Sequence, residues 1–298
     1  MDDLRPEDLP THPSDTPLCQ RISNTEPCTS NSIFYDPVLV VAADEMAGKF
    51  VGPLKPANFF KRFLPEAGPL MPSTVQALQE LEVVAAKENE IEMYEPFIIA
   101  LRPFCGRLVL CDTSAIEDSQ SGVFLDRKIR PDIMFYDKDD VPLKPSAALA
   151  RGHGEFKIRL QDEPFALDGK TPFETDALHS RDTRGQITLY ANAIQALQYR
   201  THSFSFFING SSCRLIHWSK SQAVVTEPFD YTKEDWLPMF FWRLGHSTKS
   251  TCGIDSFSPV TDNVMANKAR KALGLLPTDP LYQVSVTDDV TKMTTIYI

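Results

Sequence analysis

The chain is 298 residues long, 42% hydrophobic and 23% charged, with a formal net charge of −10. That is apolar material enough for one large domain or two small ones, and its acidity excludes a molecule whose whole surface attracts nucleic acid. No stretch approaches the roughly twenty apolar residues a membrane span needs, so no membrane partner is expected. The opening Met-Asp-Asp-Leu-Arg-Pro has no apolar run of a signal peptide, and the expected setting is intracellular, cytoplasmic or nuclear. Cys19, Cys28, Cys105, Cys111, Cys213 and Cys252 form no CxxC pair and have no His-x-x-x-His companion. Reduced thiols are therefore expected, and structural zinc is not.

Residues 1–35 hold Pro6, Pro10, Pro13, Pro17 and Pro27 among Ser, Thr, Asp and Asn; the composition predicts a tail without stable structure. The apolar run 38–43 is too short to type. Residues 58–64 read as a short aromatic helix ending at Pro65, its aromatics serving as core anchors. Ser73 is placed to cap a helix starting near Thr74, with Val75, Leu78, Leu81 and Ala85 at helical spacing. The pattern runs on through Tyr94. Pro96 cannot donate to the carbonyl of Glu92, so it should kink or restart the helix. Glu90, Tyr94, Phe97 and Leu101 fall on one face. A carboxylate on an apolar face is expensive if buried unpaired; the plainer alternative is a solvated Glu90.

The middle of the chain reads as strands over 107–111, 129–136 and 154–160, with Asp132 inside the second. In the third, alternation puts Glu155 and Lys157 on one face, and Phe156 and Ile158 on the other. A helix is predicted over 183–199, with Ile187, Tyr190, Ala191, Ile194 and Leu197 buried and Gln186 one turn before Tyr190. A three-stranded meander follows over 203–208, 213–218 and 223–226, turning first at Asn209-Gly210. Residues 233–244 form an amphipathic helix whose Trp236, Phe240, Phe241 and Trp242 are read as core. A short helix at 267–273 and strands at 281–286 and 293–298 end the chain. This order predicts an α/β fold with a mixed central sheet flanked by helices and a β-meander extension.

The residues that carry chemistry are Arg130-Pro131-Asp132, Gly154-Glu155-Phe156-Lys157 and Gly185-Gln186-Ile187-Thr188-Leu189-Tyr190-Ala191. Two carboxylates can hold a hard divalent cation, and a lysine beside them can orient or activate water. Arg102, Arg107, Arg127, Lys128, Arg130 and Arg151 form the one candidate basic stretch for nucleic acid, or are ordinary surface charges. The order Asp, Glu-x-Lys, Gln-x-x-x-Tyr, preceded by a helical Glu, resembles the PD-(D/E)xK phosphodiesterases, in particular their RecB-like branch. The resemblance implies that Asp132 and Glu155 bind Mg²⁺ and that Glu90 helps the metal or the water. It implies too that Lys157 stabilises the attacking water or the transition-state charge, and that Gln186 orients a phosphate or the lysine. The alternative is a structural ion pair of Glu155 with Lys157 at a sheet edge.

A second resemblance covers residue 36 to the C-terminus. Phe59-Phe60-Lys61-Arg62-Phe63-Leu64-Pro65, Glu92-Met93-Tyr94-Glu95-Pro96-Phe97 and Arg214-Leu215-Ile216-His217-Trp218 belong to it. So do Val225-Thr226-Glu227-Pro228-Phe229-Asp230-Tyr231 and Phe241-Trp242-Arg243-Leu244-Gly245-His246. Together they are similar to the region preceding the kinase lobes in the fungal-type protein kinase family of basidiomycete fungi. No G-x-G-x-x-G and no Asp-Phe-Gly is present, His179-Ser180-Arg181-Asp182 departs from a catalytic loop, and no ATP site is visible. The expected organisation is a disordered tail at 1–35, a nuclease-like α/β domain at 36–265, and at 266–298 a linker and strands leading toward absent kinase lobes, as in a truncated or short member. The resemblance implies a regulatory or scaffold domain whose partners are kinase lobes or another protein, unable to phosphorylate by itself. The alternative is a Mg²⁺-dependent nuclease acting on nucleic acid through Asp132, Glu155 and Lys157.

Overall fold

A mixed sheet of eight strands organises the chain. The computed structural model describes residues 37–298 except 67, 119–120, 123–127, 168–171, 199, 255–257, 261, 278–280 and 289–290. The expected N-terminal tail, with Cys19 and Cys28, and Arg127 of the basic stretch lie outside the described residues. The helices are α1 (Pro37–Glu45), α2 (Pro56–Phe63), α3 (Val75–Ala85), α4 (Glu90–Leu101), α5 (Leu178–Gln198), α6 (Trp236–His246) and α7 (Asn263–Leu273). The strands of the main sheet are β1 (Phe50–Leu54), β2 (Leu108–Asp112), β3 (Ile133–Asp137), β4 (Gly152–Lys157), β5 (His202–Asn209), β6 (Ser212–Ser219), β7 (Ala223–Thr226) and β8 (Phe229–Asp230). They lie in the order β1-β7-β6-β5-β4-β3-β2, with β8 on β6. β4 pairs β5 and β1 pairs β7 in parallel, while β2–β3, β3–β4, β5–β6, β6–β7 and β6–β8 are antiparallel. A parallel neighbour needs a crossover, and α5 supplies the one between β4 and β5. A separate sheet joins β9 (Ser258–Pro259), β10 (Tyr282–Thr287) and β11 (Thr294–Tyr297) in the order β11-β10-β9.

Both faces of the main sheet are covered, so β3 and β4 are buried along their whole length. On one face Phe135, Phe156 and Phe206 meet Phe59 of α2, Leu81 of α3, Phe97 of α4 and Phe240 and Phe241 of α6. On the other, Met134 and Tyr136 of β3 meet Leu39 and Ala42 of α1 and Leu189 and Ile194 of α5. Full burial of one such large apolar side chain is worth about 1.5–3 kcal/mol, so each layer is held by several mutually supporting contacts.

The α/β class, the mixed sheet and the meander strands are as the sequence predicts; several boundaries differ. Residues 38–43, left untyped by the sequence, belong to α1, an apolar run stabilised by packing on α5 and β3. The long helical pattern breaks at Asn89, not at Pro96: the Asn89 side chain accepts from Ile91 N at 3.0 Å, capping α4. Pro96 sits inside α4. Glu92, whose carbonyl loses its donor, is on the exposed side where water can serve it. Thr74, not Ser73, is the N-cap of α3, and it makes no side-chain capping bond. α5 begins at Leu178, so His179-Ser180-Arg181-Asp182 is its first turn. α6 begins at Trp236, because Lys233 and Glu234 close a turn onto Asp230. Asp132 lies immediately before β3 rather than within it.

Gly185 explains how closely α1 approaches α5. A Cβ there would fall 2.2 Å from the Leu39 carbonyl oxygen, so any side chain must push the helices apart. Gly185→Ala should lower unfolding stability by about 1–3 kcal/mol, read as a shifted urea midpoint. An unchanged midpoint would mean that α1 does not rest on α5 in solution.

Candidate functional site

The antiparallel register of β3 and β4 builds the site. Ile133 faces Gly154, and one rung further brings Asp132 beside Glu155. Phe156 N donates to Asp132 Oδ2 at 2.8 Å, and Tyr94 Oη donates to Asp132 Oδ1 at 2.7 Å. Phe156 points into the core on the α4 side, where it meets Tyr94 and Phe97 edge to face. By strand alternation Glu155 and Lys157 project to the α5 side. His153 shares that face and meets Tyr190 of α5 at 5.5 Å. Lys157 Nζ donates to Glu155 Oε1. Glu155 Oε2 is buried with no geometric hydrogen-bond partner among the described residues, although the Glu155 carboxyl lies close enough to Asp132 to lower its pKa. Asp132, Glu155, Lys157 and Gln186 are only 2%, 1%, 4% and 4% exposed, and Glu90 is half-buried at the rim.

The electrostatics follow from that burial. Desolvation raises the Asp132 pKa, partly offset by Lys157, Phe156 N and Tyr94. Desolvation and then Asp132 raise Glu155, while Lys157 opposes them. Burial disfavours the charge on Lys157, but Glu155, Asp132 and Glu90 outweigh it and drive its pKa up. Glu90 is pushed up to about 7, chiefly by burial, with Lys157 lowering it and Asp132 and Asp162 raising it. One ammonium thus faces three carboxylates in a low-dielectric setting. Such a cluster takes up either protons or a further cation.

Oxygen donors, an orphaned Glu155 Oε2 and excess negative charge fit a hard divalent ion. Among the described residues no three His, Cys, Asp or Glu side chains form a ready metal-holding group. A Mg²⁺ ion would rest on Asp132 and Glu155 and fill its shell with water or substrate oxygens, as Mg²⁺ commonly does.

The structure brings Asp132, Glu155 and Lys157 together, with Glu90 within electrostatic reach of all three. Gln186 lies buried on α5, but no hydrogen bond joins its amide to Lys157 or the carboxylates among the described residues. Tyr190 acts one step back: its hydroxyl donates to the Arg130 carbonyl at 3.3 Å, steadying the segment before Asp132. Tyr94 is the site residue the sequence reading passed over, and its position one helical turn after Glu90 was the available signal. The segment after β4 is stapled beside the site. Asn209 Nδ2 donates to the Arg159 carbonyl at 3.1 Å, Arg214 pairs with Glu163 at 2.7 Å, and Arg184 donates to the Pro164 carbonyl at 2.9 Å. Of the basic stretch, Arg107 and Arg151 both pair with Asp137, at 2.9 and 2.6 Å, and Lys128 pairs with Glu117 at 3.3 Å.

The chain matches no protein-family model and no curated protein sequence. No helix among the described residues is long and apolar enough to cross a membrane.

Tyr94→Phe leaves a buried Asp132 oxygen without its donor, which should cost about 1–3 kcal/mol of stability; calorimetry at pH 7 measures it. The pH dependence has a definite sign. Glu90 titrates at 4.5 when unfolded and at about 7 when folded, so the folded chain holds the extra proton between those values. That contribution is complete below pH 4.5 and is lost as pH rises through 7. Asp132 and Glu155 act in the same direction. Denaturant midpoints should therefore fall from pH 5 to pH 8 without added metal, and Glu90→Gln should flatten part of that slope.

Proposed function

We propose that this domain is a PD-(D/E)xK-type phosphodiesterase core acting on nucleic acid with Mg²⁺, within the kind of region that precedes the kinase lobes of fungal-type protein kinases. The observation that carries the reading is the buried pair Asp132 and Glu155, short of positive charge and with Glu155 Oε2 unserved. The element order supports it: α4, the antiparallel β2-β3-β4, the crossover α5, and β5 parallel to β4. Asp132 and Glu155 would hold the cation, with Glu90 at the partly exposed entrance. When bound, the ion supplies Lewis-acid polarisation of a phosphoryl oxygen and acidifies a water.

The chain's own residues define the rest. Tyr94 and Phe156 N fix the Asp132 carboxylate in one orientation, so the cation site is preformed on that side. Lys157 keeps its proton at neutral pH because the surrounding carboxyl groups Glu155, Asp132 and Glu90 outweigh the cost of its burial. It therefore acts by neutralising charge that develops on phosphoryl oxygens, not as a base. With half of the basic stretch paired to carboxylates, phosphate binding must lean on the cation and Lys157.

The near-complete burial of Asp132, Glu155, Lys157 and Gln186 favours a second reading. In that reading the domain keeps the nuclease-like core as a closed structural network and serves as a regulatory or scaffold module for kinase lobes or another protein. Cleavage assays on single- and double-stranded substrates with Mg²⁺ or Mn²⁺ separate the two. The catalytic reading expects cleavage that drops at least about 100-fold in both Asp132→Ala and Lys157→Ala. Wild-type protein that binds neither ion and cuts neither substrate supports the scaffold. Equal cutting by wild type and both variants assigns the activity to something other than this site.

A further inference from the structure

On the face of the sheet away from α5, α2 and α6 enclose a groove of about 390 Å³. Half-buried Trp236 stacks at 5.7 Å and 21° on Phe60, which is buried behind the wall, and Pro65 and Met239 extend the apolar lining. Arg243 is set in place there, its Nη1 donating to the Leu64 carbonyl at 3.0 Å and its guanidinium 5.1 Å over Phe60. Lys61 lines the groove too, with Glu66 as the one acid. Lys61 is exposed, and neither it nor Arg243 has a carboxylate partner among the described residues. In a chain of net charge −10, a proline-binding type of surface with two unneutralised cations is a local exception.

The same chain carries the complement. Residues 1–36 hold five prolines, seven carboxylates and two arginines. Pro10-Thr11-His12-Pro13 spaces two prolines for one ridge of a polyproline helix, the form that seats in aromatic grooves, and Asp8 and Asp15 flank it. The reach is ample. The roughly twenty residues between Pro17 and α1 span about 65 Å when extended, whereas a domain of this size has a radius of gyration of only about 18 Å. We propose that the acidic, proline-rich segment around Pro10–Pro17 docks in cis in the Phe60–Trp236 groove, its carboxylates against Lys61 and Arg243.

Trypsin tests this on the full chain. Within residues 1–36 it can cut after Arg21, while Arg5 is shielded by Pro6. Docking should slow cleavage after Arg21. Lys61→Glu puts a like charge against the segment and should speed cleavage about tenfold, as should Pro10→Ala/Pro13→Ala, which removes both prolines of the spaced pair. Raised salt should act in the same direction as Lys61→Glu, and the melting temperature should stay unchanged in both variants. Three results would overturn the proposal: equal rates in all three proteins, protection that grows with protein concentration (docking between copies), or protection that appears only with an added oligonucleotide (a nucleic-acid groove).

Discussion

Asp132 is the point at which α4, β3 and β4 are tied together. Its two oxygens are taken by Tyr94 Oη from the helix and Phe156 N from the neighbouring strand. A buried carboxylate is tolerable only when it is hydrogen-bonded and balanced by charge. Those two donors fix the position of α4 over the β3–β4 pair, and the charge balance fixes Lys157 beside Glu155. The same demand makes the site a site, since one lysine does not balance the carboxylates gathered around it.

Two other buried cations brace the surroundings. Arg214 reaches Glu163 and the carbonyls of Thr226 and Ala166, pinning the segment after β4 to the meander. Arg200 is fully buried and forms no ion pair with a carboxylate among the described residues. It donates to the carbonyls of Ala150, Arg151 and Cys252 and to Gln198 Oε1, and burial pulls its pKa down to about 9. The guanidinium fork satisfies several carbonyls at a place where three chain segments converge. The entry to β4, and so the height of Glu155 and Lys157, depends on that junction.

Functionally, the molecule combines a closed anionic centre with an aromatic, cationic groove on the opposite layer. In the reading proposed here the centre handles a divalent ion and a phosphodiester, while the groove handles a segment of the chain itself. The acidic surface and the paired arginines of the former basic stretch explain why phosphate recognition would have to be local.

By itself the sequence determined the α/β class, the meander, the aromatic core helices and the trio Asp132, Glu155 and Lys157, because alternation and helical spacing act over neighbouring residues. Where the sequence left a segment open or put a helix break in the wrong place, packing or a cap decided it. Packing on α5 and β3 makes a helix of 38–43, a run the sequence alone left untyped, and the Asn89 cap starts an α4 that runs on through Pro96, with Glu92 on its exposed side. Only the tertiary structure decided that Tyr94 reaches Asp132, that no hydrogen bond among the described residues joins Gln186 to Lys157, and that Arg107, Lys128 and Arg151 pair with carboxylates. Those are contacts between residues far apart in the chain, set by strand register and by the cost of burying charge, and no spacing along the sequence encodes them.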